Sequence, residues 1–385
     1  MKICFSSNIF NHHQKFLSDS FYRRAEEYHF IATMPMTDEL NTLGYEKFEN
    51  IPYLTNAYVD YESEEKALLQ IKNSDVLITG SAPRKYYEAF LDNTKLLFHY
   101  SERINKRGEE PLKYIYRFFR MRLVDKLDSD AYLLCASAYA AADYNKYGLF
   151  INKTYKWGYF PQMRKYNDVE AIIKRKNRKK ILWVGRFLNW KHPDDVIKVA
   201  KKLKDDGYDF KIDLCGTGIM KERLYNMAMS LGVTEKVSFL GAIPSNQVRS
   251  HMETAGIYLF TSDRYEGWGA VLNESMNSCC AVVASHAIGA VPYLLDNMKN
   301  GIVYHSGNIE ELCESVKYLL DNPSEQERMG LAAYHTIVDE WNSDIAAERF
   351  MNLSEHILKG EGYPDLYDSG PCSKAEKIRD DWFEK

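Results

Sequence analysis

Short apolar runs recur along the chain at intervals wide enough for a helix between neighbours. In the first half they fall at 2–6, 29–33, 75–79, 95–100 and 131–136, and in the second at 180–185, 211–215, 236–240, 256–261, 281–285 and 301–304. The stretches between are mixed in polarity, and the one after Pro193 reads as a helix to about Asp206. Strands alternating with helices over a whole chain predict parallel sheets covered by helices on both faces. No internal repeat or low-complexity tract interrupts the alternation.

At 385 residues the chain exceeds one ordinary core and suits two domains of similar size. The basic, polar run IIKRKNRKK at 172–180 separates two sheet-forming regions and is expected to be a solvated linker. This predicts an N-terminal domain at 1–172 and a second at 173–341. A helical tail follows at 342–385, broken at 360–364 and at Gly370-Pro371. The formal net charge of −4 carries no nucleic-acid signature. Seven scattered cysteines, odd in number and without metal-ligand spacing, read as buried thiols of a reducing compartment. The N-terminal apolar run is too short for a signal peptide and no segment reaches membrane-span length, so a cytoplasmic location is expected.

The chemistry concentrates in the second half. EGWGAVLNE places Glu266 and Glu274 eight positions apart, after the apolar run GIYLFTS and at the opening of an expected helix. Gly267 and Gly269 permit close approach of a ligand to the main chain, and the unpaired amides of a helix beginning near Ala270 offer donors to phosphate oxygens. A carboxylate at Glu266 can accept from sugar hydroxyls, and Glu274, about a turn into the helix, can reach a ribose diol. A second anion site is expected where KKILWVGRF ends: Arg186 offers a planar fork of donors and Lys191 a compact charge, together suited to a diphosphate. KIDLC then runs into Gly216-Thr217-Gly218, another turn open to close approach.

The order GRFLNWK, CGTG, VSFLG, EGWGAVLNE resembles the donor-binding domain of retaining glycosyltransferases of family 4, over about 179–341. One departure is Lys191-His192 where Lys-Gly is usual. The resemblance implies an α/β GT-B fold: two Rossmann-like, doubly wound domains facing a central cleft, with the tail crossing back to the first. It assigns Arg186 and Lys191 to the diphosphate, Glu274 to the ribose and Glu266 to the transferred sugar. The amides of Gly267, Trp268, Gly269, Ala270 and Val271 go to sugar and phosphate, Gly216 and Gly218 line the pocket, and 237–243 lies beside the base. It further implies retention of configuration, a nucleotide-sugar donor with UDP favoured, and neither metal nor other cofactor.

In the first domain, Asn11, His12, His13 and Gln14 follow the first strand, where open sheets of this kind bind ligands, so His13 is a candidate acceptor contact beside the reading of solvated loop histidines. Adjacent histidines do not readily share one metal. The absence of Gly-x-Gly-x-x-Gly at that turn argues against a nicotinamide dehydrogenase. FHYSER ends the fourth expected strand with His99, which resembles the N-domain histidine that contacts the donor sugar in several family 4 enzymes, against the reading of a histidine satisfied within the sheet. Glu102 and Arg103 could orient the acceptor or pair with each other.

The stretch 103–126 interleaves Arg103, Lys106, Arg107, Lys113, Arg117, Arg120, Arg122 and Lys126 with Tyr114, Tyr116, Phe118 and Phe119. Two readings stay open for it: an ordinary helix with one buried face, or a peripheral contact with an anionic membrane surface. The expected activity is transfer of a hexose-type sugar to a glycan or lipid-linked glycan, in bacterial surface polysaccharide synthesis at the inner face of the plasma membrane. Two other classes share such a pocket, a GT-B sugar-nucleotide epimerase or hydrolase and a noncatalytic nucleotide-sugar-binding subunit.

Overall fold

The computed structural model describes residues 1–36, 48, 50–91, 95–106, 108, 111–125, 127 and 130–384. Arg107 and Lys126 of the basic, aromatic stretch lie outside the described residues. The chain forms two compact units: the first comprises 1–162 and 342–382, the second 163–341 and 383–385.

The first unit is built on a seven-stranded sheet of β1 (Lys2–Ser7), β2 (Glu27–Ala32), β3 (Leu54–Asn56), β4 (Val76–Thr79), β5 (Leu96–Ser101), β6 (Ala131–Cys135) and β7 (Thr154–Lys156), in the order β3-β2-β1-β4-β5-β6-β7. Every pairing is parallel. All five residues of β6 and all four of β4 are buried, the continuous apolar signature of strands covered on both faces. Each Leu, Ile or Phe so buried contributes roughly 1.5–3 kcal/mol relative to exposure. The helix Ser343–Leu358, capped by Asn342, belongs to this unit: Phe350 packs edge-on against Phe21, and Asp344 accepts from Ser20 and Arg23, each at 2.8 Å.

The second unit has a six-stranded parallel sheet of β8 (Asn177–Val184), β9 (Lys211–Cys215), β10 (Val237–Gly241), β11 (Ala255–Phe260), β12 (Ala281–Ser285) and β13 (Ile302–Tyr304), ordered β10-β9-β8-β11-β12-β13. Its core gathers Ile181, Val196, Leu214, Ile257, Val283 and Leu312. The expected helix after Pro193 runs Pro193–Asp205, with proline in its first turn.

The run 172–180 is not a linker. Ile172 and Ile173 are buried in the helix Val169–Lys174, against Cys279 and Tyr334, and the basic residues after it open β8. Their charges are met from neighbouring elements: Lys179 pairs with Asp209 at 2.7 Å, Lys180 with Asp213 at 2.8 Å and Arg178 with Glu327 at 2.5 Å. Lys176 is buried and donates to the carbonyls of Met252 and Ala255, both at 2.8 Å. Acids on the neighbouring elements accommodate a basic run that, by composition alone, looks solvated. The seven cysteines are all buried and free.

Each sheet reverses its winding direction once, between β1 and β4 in the first and between β8 and β11 in the second. Beyond the carboxyl ends of strands at such a point the flanking loops diverge and leave a crevice for ligands. Among the described residues no helix is long and apolar enough to cross a membrane.

Candidate functional site

In the second unit the loops leaving β8 and β11 meet. The loop after β8 ends in a single 3-10 turn, Asn189–Lys191, and His192 takes a left-handed conformation (φ 48°) before the helix from Pro193. Thr261, just past β11, accepts from the buried Trp183 indole at 2.9 Å and donates to the carbonyls of Lys191 at 2.7 Å and His192 at 3.1 Å. Asp263 bonds through its amide to Trp190 O at 2.9 Å and through its carboxylate to His192 at 3.1 Å, which raises the His192 pKa. The two loops are thus bound to each other before any ligand arrives.

This binding brings together two residues 75 positions apart. Lys191 Nζ lies 2.5 Å from Glu266 Oε2, with side chains only 13% and 12% exposed, and Ser262 donates to the same oxygen at 2.9 Å. Gly269, at φ 91°, follows directly: a Cβ there would overlap the Phe260 ring and crowd Glu266 Cγ at 3.2 Å. Gly269 then caps the helix Ala270–Asn277, whose first amides are without helical acceptors by construction. Trp268 is wholly buried against Trp341 and Tyr293, and its indole donates to Asn273 at 2.9 Å, so its side chain is part of the core and not of a ligand surface.

Glu274 lies in the second turn of that helix. Burial raises its pKa, opposed by Arg249 and Arg164. Neither arginine was singled out in the sequence. Arg249 is buried and donates to Asn277 at 2.7 Å, and Arg164 pairs with Glu253 at 2.7 Å. Tyr258, inside β11, has a hydroxyl pKa well above its usual value, first from burial and then from Glu274, with a smaller contribution from Glu266. Both acids therefore bear on one buried phenol at the end of the sheet.

Arg186 is exposed beyond the end of β8. The glycines of Gly216-Thr217-Gly218 serve a different neighbour from the one expected. At φ 144°, a Cβ on Gly216 would strike Gly185 O, and one on Gly218 would lie 2.6 Å from Phe187 O. Phe187 N donates to Thr217 O at 2.8 Å. The close approach is by the main chain of 185–187, and it fixes the loop that presents Arg186 and Lys191.

A cation could be considered at His192, Asp194 and Asp195, whose ligand atoms lie within 4.8 Å of one another. Lys198 already bridges both carboxylates, at 3.1 Å and 2.7 Å, and His192 is engaged by Asp263.

In the first unit, a cavity of about 570 Å³ opens at the carboxyl ends of β4 and β5, lined among others by Thr79, Arg84, His99, Glu102 and Tyr159. His99 does not close its strand, which runs on to Ser101; it sits between Tyr87 and Phe150 with ring centroids at 5.5 and 5.6 Å. It is 8% exposed, burial lowers its pKa to about 4, and its Nε2 has no hydrogen-bond partner among the described residues. Glu102 accepts from Tyr159 and Lys106, both at 2.6 Å, while Arg103 stacks on Tyr139 and pairs with Asp380 at 2.9 Å, so the two do not pair with each other. His12 and His13 are not in a loop. Asn11 and Gln14 form a reciprocal cap that starts the helix His12–Arg24 at His12, and His13 stacks on Tyr159 at 5.5 Å.

Two doubly wound parallel units are shared with solved glycosyltransferases of the GT-B class. A Rickettsia africae glycosyltransferase superposes with a TM-score of 0.66 at 16% identity, covering 93% of this chain and 98% of its own. Anabaena HepE, solved in complex with UDP, gives 0.65 at 14%, covering 94% and 100%. Residues 165–336 match the family model of glycosyl transferases group 1, over the same stretch that carries the family 4 resemblance. An uncharacterized glycosyltransferase of Haemophilus influenzae is 29% identical over 171 residues, 42% of this chain and 48% of its own. The GDP-mannose-dependent phosphatidylinositol monomannoside mannosyltransferase of Mycolicibacterium smegmatis is 28% identical over 183 residues, 46% and 48%. The chain spans about half the length of the curated relatives it matches.

Proposed function

We propose that the protein is a retaining glycosyltransferase that moves a hexose-type sugar from a nucleotide-sugar, UDP-linked by preference, to a glycan or lipid-linked glycan. The observation that carries the reading is the Lys191–Glu266 pair beside the amide-lined start of the helix Ala270–Asn277. Breaking a glycosyl phosphate bond puts negative charge on the diphosphate and positive charge on the anomeric carbon. Lys191, Arg186 and the amides of Gly269 to Val271 supply fixed positive charge for the leaving group, and loss of one such donor costs roughly 3 kcal/mol of transition-state stabilisation. Glu266 holds sugar hydroxyls, and Glu274 holds the ribose.

Retention fits a leaving phosphate oxygen that takes the acceptor proton on the same face, a route that needs no positioned nucleophile. In this reading the first unit takes the acceptor, with Glu102 and His13 as polar contacts. A lipid-linked acceptor would place the enzyme at the inner face of the plasma membrane, in surface polysaccharide synthesis. UDP is supported by the HepE complex, whereas the mycobacterial relative is named for GDP-mannose.

The test is a panel of UDP- and GDP-sugars with nucleotide release followed with and without lipid-linked acceptors. Release that requires acceptor supports transfer. Product sugar without acceptor points to an epimerase or hydrolase, and binding without any turnover to a noncatalytic subunit. For His99, His99→Ala should lose turnover while keeping nucleotide affinity; unchanged turnover makes it a structural residue.

A further inference from the structure

His192 holds a left-handed backbone (φ 48°) that glycine adopts freely and that a residue with a Cβ adopts against steric resistance. The strained residue sits directly between Lys191, which faces Glu266, and the helix from Pro193. Its ring does not cap that helix, since it makes no side-chain bond to the first turn. It reaches instead across to the loop after β11, where its Nε2 lies 3.1 Å from Asp263 Oδ2. A conformation that costs stability persists where its surroundings over-determine it, and such positions gather at functional sites.

Asp263 is itself fixed. Its Oδ1 accepts from the Tyr265 amide at 2.8 Å, its carbonyl accepts from the Glu266 amide at 3.0 Å, and its own amide donates to Trp190 O at 2.9 Å. The His192–Asp263 bond therefore joins the residue after Lys191 to the turn that ends at Glu266. Main-chain ties hold the same two loops, for Thr261 donates to the carbonyls of Lys191 at 2.7 Å and His192 at 3.1 Å. Those ties survive any side chain at position 192 and fix the path of the chain; the imidazole adds a tie next to the ammonium. The other acids near the ring, Asp194 and Asp195 of the following helix, are bridged by Lys198 at 3.1 Å and 2.7 Å, so Asp263 is the carboxylate bonded to the imidazole.

We infer that His192 is a positioning residue for Lys191: its bond to Asp263, made from a left-handed backbone, keeps the lysine ammonium and the Glu266 carboxylate in register for a diphosphate-linked sugar. The role at the donor rests on the transferase reading, whereas the ordering of the loop does not. A residue kept for stability alone would be replaced by glycine at a loss of stability. Here glycine relieves the backbone and, by removing one hydrogen bond, lets the turn at 188–192 fluctuate. Stability and donor affinity then move apart, which separates positioning from packing.

The test compares His192→Gly, His192→Gln and His192→Asn in the full chain. Glutamine carries its amide nitrogen where Nε2 stands and can keep the bond to Asp263, whereas asparagine tolerates the left-handed backbone but ends one atom short. In the unliganded protein, hydrogen exchange at the amides of Lys191 and Asp263, which are bonded to Leu188 O and Trp190 O, should quicken in the glycine and asparagine variants and stay slow in the glutamine variant. The melting temperature of the glycine variant should equal or exceed that of the wild type. Affinity for UDP or GDP, whichever the wild type binds, should fall about fivefold in the glycine and asparagine variants, as expected for the loss of one hydrogen bond, and be restored by glutamine. The inference is overturned if exchange in His192→Gly matches the wild type, or if glutamine behaves as glycine does. It is likewise overturned if the glycine variant loses melting temperature and donor affinity together, since the ring is then only packing. A wild type that binds no nucleotide defeats the donor site by itself, and exchange alone then decides the positioning.

Discussion

Glu266→Gln separates two effects that the Lys191–Glu266 pair combines. At 2.5 Å and about one-eighth exposure, the pair gains roughly 7 kcal/mol of Coulomb energy at an effective dielectric near 20, before desolvation is subtracted. Removing one partner of a largely buried pair costs about 3 kcal/mol, because the other charge is left without compensation. The melting transition of the second unit should therefore fall by roughly 6–12 °C. Binding of a nucleoside diphosphate should change in the opposite direction. In the proposed reading Glu266 neutralises the ammonium that a diphosphate would engage, so the glutamine variant frees Lys191 for the ligand. If about 1.4 kcal/mol of the pair energy opposes diphosphate binding, affinity for UDP or GDP rises about tenfold. Sugar transfer is nonetheless lost, since a neutral amide cannot replace the carboxylate at the hexose. Denaturant melts and calorimetric titration of Glu266→Gln beside Lys191→Met give the comparison. Should the glutamine variant bind the diphosphate as weakly as Lys191→Met, the competition between carboxylate and phosphate for one lysine is refuted.

Four other outcomes follow from the same geometry. Gly269→Ala forces a Cβ into the Phe260 ring at a φ of 91°, so the second unit should lose about 3 kcal/mol and much of its donor affinity; a denaturation midpoint equal to wild type would contradict this. Burial holds the His99 pKa at about 4, below the roughly 6.5 of an unfolded chain, so its contribution to stability is complete above pH 6.5 and is lost as pH falls towards 4, by up to about 3 kcal/mol. His99→Asn should flatten that difference, and parallel pH curves for the two proteins would exclude it. Because the Glu274 carboxyl is raised by burial, donor affinity should climb as pH rises past the ordinary carboxylate range, and Glu274→Gln should remove the climb. Turnover should persist in excess chelator; a strict divalent-ion requirement would instead direct attention to His192, Asp194 and Asp195.

What could be read from the chain before its structure divides along physical lines. Strands such as β6 and β12, buried end to end, were legible because parallel sheets leave continuous apolar runs. The two missed strands, β3 (Leu54–Asn56) and β7 (Thr154–Lys156), have three residues each and lie at sheet edges, too short for any period to register. The helix start at Ala270 followed from the glycines before it, and Asn11 with Gln14 could have marked the earlier helix start had the capping pattern been weighed above the histidines. Long-range pairing was not legible. The contact of Lys191 with Glu266 spans 75 positions, and Arg249 carries no local signal that it faces Glu274. Spacing along the chain says which groups could meet a diphosphate; only the fold shows that one of them is already held by an acid.

The most direct measurement is calorimetric titration of the full chain with UDP, GDP and their hexose conjugates. A cationic, amide-lined site at the carboxyl ends of β8 and β11 predicts saturable one-to-one binding of at least one of these ligands, weakened by Lys191→Met. Absence of binding heat and of any thermal-shift response for every ligand in the series would contradict the site, and with it the proposed transfer.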